Sequence, residues 1–260
     1  MHTMIDVVFV GQTIPERRRK DPSIVQVCAA GYSPTMKQLV RIYPLPVCFG
    51  GHRWDKYMVP VERNKKDSRR ESLKIPNDLR VGEFSDLERT HELMTFIGKE
   101  RREDCLEELE KLASPSIKYL NSERRSLGII KPRNIEGYWA DNPEHTPLFE
   151  RSGLFEKTRT EITKKGHARW ARVRARDEDG EIDLMLNAWD VYEWHRRHSD
   201  RHPLSDVWEN LQIGSEKHDH LLLVGNMSHL RRRWLVIAVL SMKRPAPVYE
   251  PQLDLFGASA

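Results

Sequence analysis

Ile5-Asp6-Val7-Val8-Phe9-Val10-Gly11, Ile24-Val25-Gln26-Val27-Cys28-Ala29-Ala30-Gly31 and Leu39-Val40-Arg41-Ile42-Tyr43 all fall within the first 43 residues. Each is a short apolar run closed by a breaker: Gly11, then Gly31 with the Ser33-Pro34 turn signal, then Pro44 and Pro46. Such runs read as buried β-strands. The two prolines lack backbone donors, so they end the third ladder or push it to an edge. The connections are too short for crossover helices. The strands therefore pair without βαβ units and form a small curled sheet or barrel. Residues 15–22 are charged and turn-rich and read as a loop, and the alternation Tyr57, Val59, Val61 marks one more strand.

Working outward, Ser85 and Glu88 have the spacing of a capping box. Leu87, Leu93, Phe96, Ile97, Leu106, Leu109 and Leu112 then recur close to the 3.6-residue period, which predicts helix over 86–112 with Gly98 as a break point. Pro115 ends it. Strands follow at 126–130 and 135–139. Residues 168–176 alternate at a period of two, with Ala168, Trp170, Arg172, Arg174 and Arg176 on one face and Arg169, Ala171, Val173 and Ala175 on the other. Asp177-Glu178-Asp179-Gly180 is a tight turn and 181–186 runs back, so 168–186 is a predicted β-hairpin. Residues 190–198 read as helix, and 221–224 and 234–240 as strands. The predicted fold is α+β: a small barrel-like N-terminal sheet in 1–84, a helical spacer in 85–115, a second, mainly antiparallel sheet in 116–244, and an extended C-terminal tail in 245–260. No internal repeat is visible in the sequence.

The chain has 260 residues, enough for one large or two small domains. Apolar residues make up 38% and there are seven Trp, which excludes a fully disordered chain. The 43 Lys and Arg nearly balance the 39 Asp and Glu, so net charge alone names no partner. Cys28, Cys48 and Cys105 form no CxxC pair, giving neither a disulfide framework nor a zinc knuckle. The N-terminal residues lack a signal-peptide pattern, and the apolar run 234–240 is too short to cross a bilayer. The expectation is a soluble cytoplasmic protein with no membrane partner.

The most specific motif is Gln252-Leu253-Asp254-Leu255-Phe256, which follows Pro245 and Pro247 and precedes small residues. It resembles the five-residue motif by which bacterial polymerases, mismatch-repair proteins and clamp loaders bind the DNA sliding clamp. The resemblance implies that Gln252 is a polar anchor, that Leu253, Leu255 and Phe256 enter an apolar pocket, and that Asp254 points outward. It covers five residues and implies nothing about the rest of the chain. Three large apolar side chains beyond the last predicted strand suit a docking peptide on their own account.

Basic residues cluster in two places. Arg53, Lys56, Arg63, Lys65, Lys66, Arg69 and Arg70 share a loop-rich stretch with Trp54 and Tyr57, and Arg169, Arg172, Arg174 and Arg176 line the hairpin. Arg231 to Arg233 add a basic turn. Such groups contact phosphates, and Trp or Tyr stacks on bases, so DNA is a second expected partner. The carboxylates Glu136, Asp183 and Asp190 sit on or beside predicted strands and are the candidates for a Mg²⁺-dependent nuclease centre. No other cofactor is predicted. His195, His198 and His202 have helical spacing, but Arg196, Arg197 and Arg201 beside them repel a cation, so no metal site is assigned there. No phosphate-binding glycine loop, serine-hydrolase elbow, helix-turn-helix or zinc finger is present. The sequence therefore points to a DNA-associated accessory protein docked on the sliding clamp. A clamp-tethered nuclease and a protein-only clamp adaptor or inhibitor stay open as alternatives.

Overall fold

The computed structural model describes residues 3–18, 21–46, 52–64, 67, 69–76, 93–143, 167–198, 203–227 and 230–245. The N-terminal sheet contains β1 (Thr3–Gln12), β2 (Glu16–Arg18), β3 (Asp21–Ser33), β4 (Gln38–Pro46), β5 (Asp55–Arg63), β6 (Ser72–Lys74) and β7 (Thr95–Lys99). β1 pairs antiparallel with β3 on one side and with β5 on the other. β3 continues antiparallel to β4, β4 runs parallel to β6, and β6 returns antiparallel to β5. The ring β1-β3-β4-β6-β5-β1 is thus closed. The β3–β4 register shifts between Val27 and Ala29, opposite the step from Leu45 to Ile42. Pro44 therefore falls at a bulge, where a missing donor costs least.

The rest of the chain contains α1 (Arg102–Lys111), β8 (Ala113–Ser114), α2 (Ile117–Ser122), β9 (Leu127–Ile130), β10 (Arg133–Asp141), β11 (Arg169–Arg176), β12 (Glu181–Leu186), α3 (Trp189–His198), α4 (Asp206–Asn210), β13 (His218–Met227) and β14 (Leu230–Lys243). β10, β11 and β12 form an antiparallel meander. β12 runs parallel to β14, β14 pairs antiparallel with β13, and β13 with β9. Only Lys131 and Pro132 separate β9 from β10, so the two act as one bent strand that closes the second ring. Numbered along the chain, both rings have the order 1-2-3-5-4-1 with strands three and five parallel. That is the strand order of the OB-fold barrel. The fold is thus a pair of barrels of one connectivity, with α3 placed between the third and fourth strands of the second.

Burial explains why the decisive runs are so uniformly apolar. On β1, Ile5, Val7 and Phe9 point into the first barrel, whereas Val8 and Val10 pack with Leu127, Ile129, Leu221, Leu223, Ile237 and Leu240 of the second. A strand covered on both faces reads as continuous rather than alternating. α1 joins the same inter-barrel layer through Cys105, Leu106 and Leu109.

The spacer differs from its predicted form. Of the described residues from 94 to 112, only those of α1 are helical, and Thr95–Lys99 pairs with β5 as a strand. Thr95, Phe96 and Ile97 favour extended backbone, and Gly98, at φ +146°, takes up the register shift that a Cβ would strain. The proposed cap at Ser85 lies outside the described residues, and so does the tail from 246 to 260. Within the 15–22 stretch, Glu16–Arg18 forms a short strand against β3.

Close packing gives one direct prediction. A Cβ on Gly137 of β10 would lie 2.2 Å from Cε3 of the Trp208 ring. Gly137→Ala is therefore expected to lower stability by about 1–3 kcal/mol, measured by urea unfolding. A neutral effect would mean that Trp208 is not seated against β10.

Candidate nucleic-acid interface

The outer face of strands one to three of the second barrel carries the arginine row. On β11, Ala171, Val173 and Ala175 are buried in the barrel, so Arg172, Arg174 and Arg176 point the other way. The register places Arg174 between Glu136 of β10 and Asp183 of β12. Arg172 lies beside Tyr138, and Arg176 between Arg133 and Glu181. Alternate residues on a strand stand about 6.6 Å apart, so the three arginines leave the strand as a spaced row on this outer face.

The row is braced rather than loose. Tyr138 donates its hydroxyl proton to Asp183 Oδ2 at 2.6 Å and accepts from Arg172 Nε at 2.9 Å. Arg172 also donates to Asp183 Oδ1 at 3.0 Å and to the Asp183 carbonyl at 3.2 Å. Arg174 lies over the Tyr138 ring, 5.1 Å from its centre, and 3.7 Å from Glu136. Partial burial acts to raise the Asp183 pKa, but the hydrogen bonds from Tyr138 and Arg172 outweigh it and hold the carboxyl below its ordinary value. Burial likewise acts to lower Arg172, and the same contacts raise it. One carboxylate thus orients one arginine, while Arg174 and Arg176 stay exposed.

Two connections border this face. The β13–β14 connection leads into Arg231, Arg232 and Arg233, all exposed. The parallel register Met185↔Leu235 and Leu186↔Val236 puts these residues at the same end of the barrel as Glu181 and Asp183. The β10–β11 connection falls largely outside the described residues. In barrels of this order, oligonucleotides bind on the face of strands two and three and on the one–two and four–five connections.

The N-terminal basic cluster is not one surface. Trp54 is 9% exposed and belongs to the inter-barrel core, so it is not available for base stacking. Arg69 is 8% exposed, pairs with Asp67, and donates to the Asn226 carbonyl at 2.7 Å and its Oδ1 at 2.9 Å. The sequence suggested base stacking for Trp54 and a phosphate contact for Arg69, but the fold uses both internally. Arg53 binds Asp190 and the Val239 carbonyl, and Lys56 pairs with Glu100 at 2.8 Å. Arg63 and Arg70 are exposed, and Lys65 and Lys66 lie outside the described residues. Arg169 stands at the open start of β11, 3.9 Å from Asp141.

The three candidate metal carboxylates do not come together. Glu136 and Asp183 share the outer face with Arg174 between them. Asp190 sits on α3, which packs through Val191 and Tyr192 against the opposite face, and it is held by Arg53. Among the described residues no three His, Cys, Asp or Glu groups converge as metal ligands. His195 packs on Trp139, and burial lowers its pKa. His198 uses Nδ1 on the Trp194 carbonyl at 2.7 Å, and His202 lies outside the described residues. No described helix is long and apolar enough to cross a membrane. The Tyr138 and Asp183 brace is not legible in the sequence, because it depends on which residues meet across β10, β11 and β12.

A family model described as "Domain of unknown function (DUF8758)" matches residues 3–107, which covers the first barrel and reaches into α1. No curated protein matches the chain. Among solved structures, a murine DNA binding protein bound with double-stranded DNA is similar over 94% of this chain and 97% of its own, at 6% identity and a TM-score of 0.29. The tetrameric p202 HIN2 is similar over 94% of this chain and 96% of its own, at 8% identity and a TM-score of 0.28.

Proposed function

We propose that this protein binds single-stranded nucleic acid on the outer face of its second barrel and is held at replication or repair sites by docking its C-terminal pentapeptide on the bacterial sliding clamp. One observation carries the first part. Arg172 and Arg174, braced by Tyr138 and Asp183, stand on the strands that barrels of this order use for oligonucleotides, beside the basic start of β14. Fold alone does not give function, so the weight rests on these side chains. Arginines contact the phosphates, and the Tyr138 ring with its Arg174 lid offers a stacking surface. Residues Gln252 to Phe256 carry the second part through their resemblance to clamp-binding peptides.

The test is a fluorescence-polarisation titration of the full-length protein with labelled single- and double-stranded oligonucleotides at low salt. Binding favouring the single strand, and weakened about equally for unrelated sequences by Arg172→Ala/Arg174→Ala, is the expected result. No binding to either form would leave a protein-only adaptor acting through the tail. Asp183→Asn is expected to shift affinity the other way, because it removes a negative charge from the row and keeps the side-chain shape. Weaker binding than wild type would mean that the aim Asp183 gives Arg172 outweighs the negative charge it adds to the row. Glu136 and Asp183 face Arg174, and Asp190 is on the other side of the sheet, so no observation favours a nuclease.

A further inference from the structure

A cavity of about 380 Å³ lies where the two barrels meet. Arg41 and Tyr43 of β4 form part of one wall, and Met227, Leu235 and Ile237 of the β13–β14 hairpin form the other. On β4, Val40 and Ile42 point into the first barrel. Arg41 therefore stands on the outer side, the second- and third-strand face that the first barrel turns toward its neighbour. Asn187, just past β12, closes the space.

Two buried polar atoms here have no partner among the described residues: Arg41 Nε, a donor, and Asn187 Oδ1, an acceptor. Their side chains are 4% and 2% exposed. The terminal nitrogens of Arg41 are already used on the Asn226 and Ser126 carbonyls, at 2.8 and 2.6 Å. Buried polar atoms are normally paired, and unpaired ones call for a ligand or ordered water. The charges of Arg41 and Arg69 are matched around the cavity by Glu16 and Asp67. That balance offers no net attraction to a phosphate. What fits is a neutral molecule that presents both an acceptor and a donor, with an apolar face for the aromatic and aliphatic side chains of the two walls.

We propose that the inter-barrel cavity binds a single nucleobase. Every nucleobase carries an acceptor and a donor on adjoining atoms of its pairing edge, and a base held in a pocket is read by that edge and by stacking. The base has two sources: a free nucleoside, or one nucleotide of a strand lying on the basic face. The second source rests on the function proposed above, and the first does not.

Cys28 lines the cavity and is partly exposed, and because burial pushes its thiol pKa up, alkylation is run at alkaline pH to make it a reporter. Full-length protein is alkylated with iodoacetamide, and modification of Cys28 is followed by peptide mass spectrometry. The additions are uridine, cytidine, adenosine or guanosine, a short single-stranded oligonucleotide, or the same oligonucleotide made abasic. Slowed alkylation with a nucleoside supports the site with a free source. Slowing by the intact but not the abasic oligonucleotide supports it with a strand source. Asn187→Ala removes the acceptor and is expected to weaken protection about tenfold, with the melting temperature near that of wild type. If that variant does not fold, the wild-type arms decide alone. No protection in any arm, or equal protection by intact and abasic strands with none from nucleosides, overturns the proposal and leaves a water-filled cavity. Should oligonucleotides not bind at all, the surface reading fails and the nucleoside arms decide for the cavity.

Discussion

Deleting residues 252–260 is expected to abolish binding to a purified bacterial sliding clamp and to leave the melting temperature unchanged. Three large apolar side chains, Leu253, Leu255 and Phe256, account for the first half. Burying each contributes about 1.5–3 kcal/mol before ordering costs, so the peptide alone supports affinity of roughly micromolar order. Phe256→Ala is expected to cost about 2 kcal/mol or more, since buried aromatic anchors dominate small interfaces. Pro245 and Pro247, which disfavour helix and lack donors for a ladder, set the tail apart from the last strand in the sequence and account for the second half. Calorimetry against the clamp, with a thermal melt of each variant, separates the outcomes. Undiminished clamp affinity without the tail would sink the docking claim. A large fall in melting temperature would mean that the tail packs on its own barrels.

Arg41→Ala is expected to destabilise the fold by about 1.5–3 kcal/mol, the range for losing a hydrogen-bonded charged group. The guanidinium is buried between the barrels and donates to two carbonyls of the second barrel, those of Asn226 and Ser126. Its removal takes one donor from each carbonyl, leaving Arg69 on that of Asn226 and the Asn226 backbone N–H on that of Ser126, and opens a cavity beside them. Arg69 reaches the same Asn226 carbonyl and can satisfy it when Arg41 is gone, so replacing both arginines should cost more than the sum of the single changes. Urea unfolding with an unchanged slope measures the effect. A loss below about 1 kcal/mol would mean that apolar packing alone joins the barrels.

Both barrels were partly legible in the sequence, for reasons that particular residues make plain. The runs at 5–10, 24–30 and 39–43 are apolar because both faces of β1 and the inner faces of β3 and β4 are covered, and burial is what an apolar run records. Closure was not legible. It depends on Ser72–Lys74, a three-residue strand with no pattern of its own, pairing parallel with β4. The shared connectivity was invisible because the rings repeat a path and not residues. Thr95–Lys99 was read as helix because Leu93, Phe96 and Ile97 happen to suit a helical period, and pairing with β5 overrode that pattern. Of the candidate site, the Arg172 row was legible from strict alternation. Trp54 and Arg69 were misjudged because charged neighbours in the chain say nothing about what another barrel will cover.

The arginine face is tested most directly by the salt dependence of oligonucleotide binding. Each phosphate contact releases counterions, so the logarithm of affinity falls linearly with the logarithm of salt, with a slope of about −0.7 per contact for single strands. The wild-type protein is expected to show a slope that requires several contacts. Arg172→Ala/Arg174→Ala should flatten it by roughly 1–2, with an unchanged melt as the control for folding. The same slope and affinity in the double variant and in wild type would contradict the assignment of nucleic-acid binding to the outer face of β10, β11 and β12.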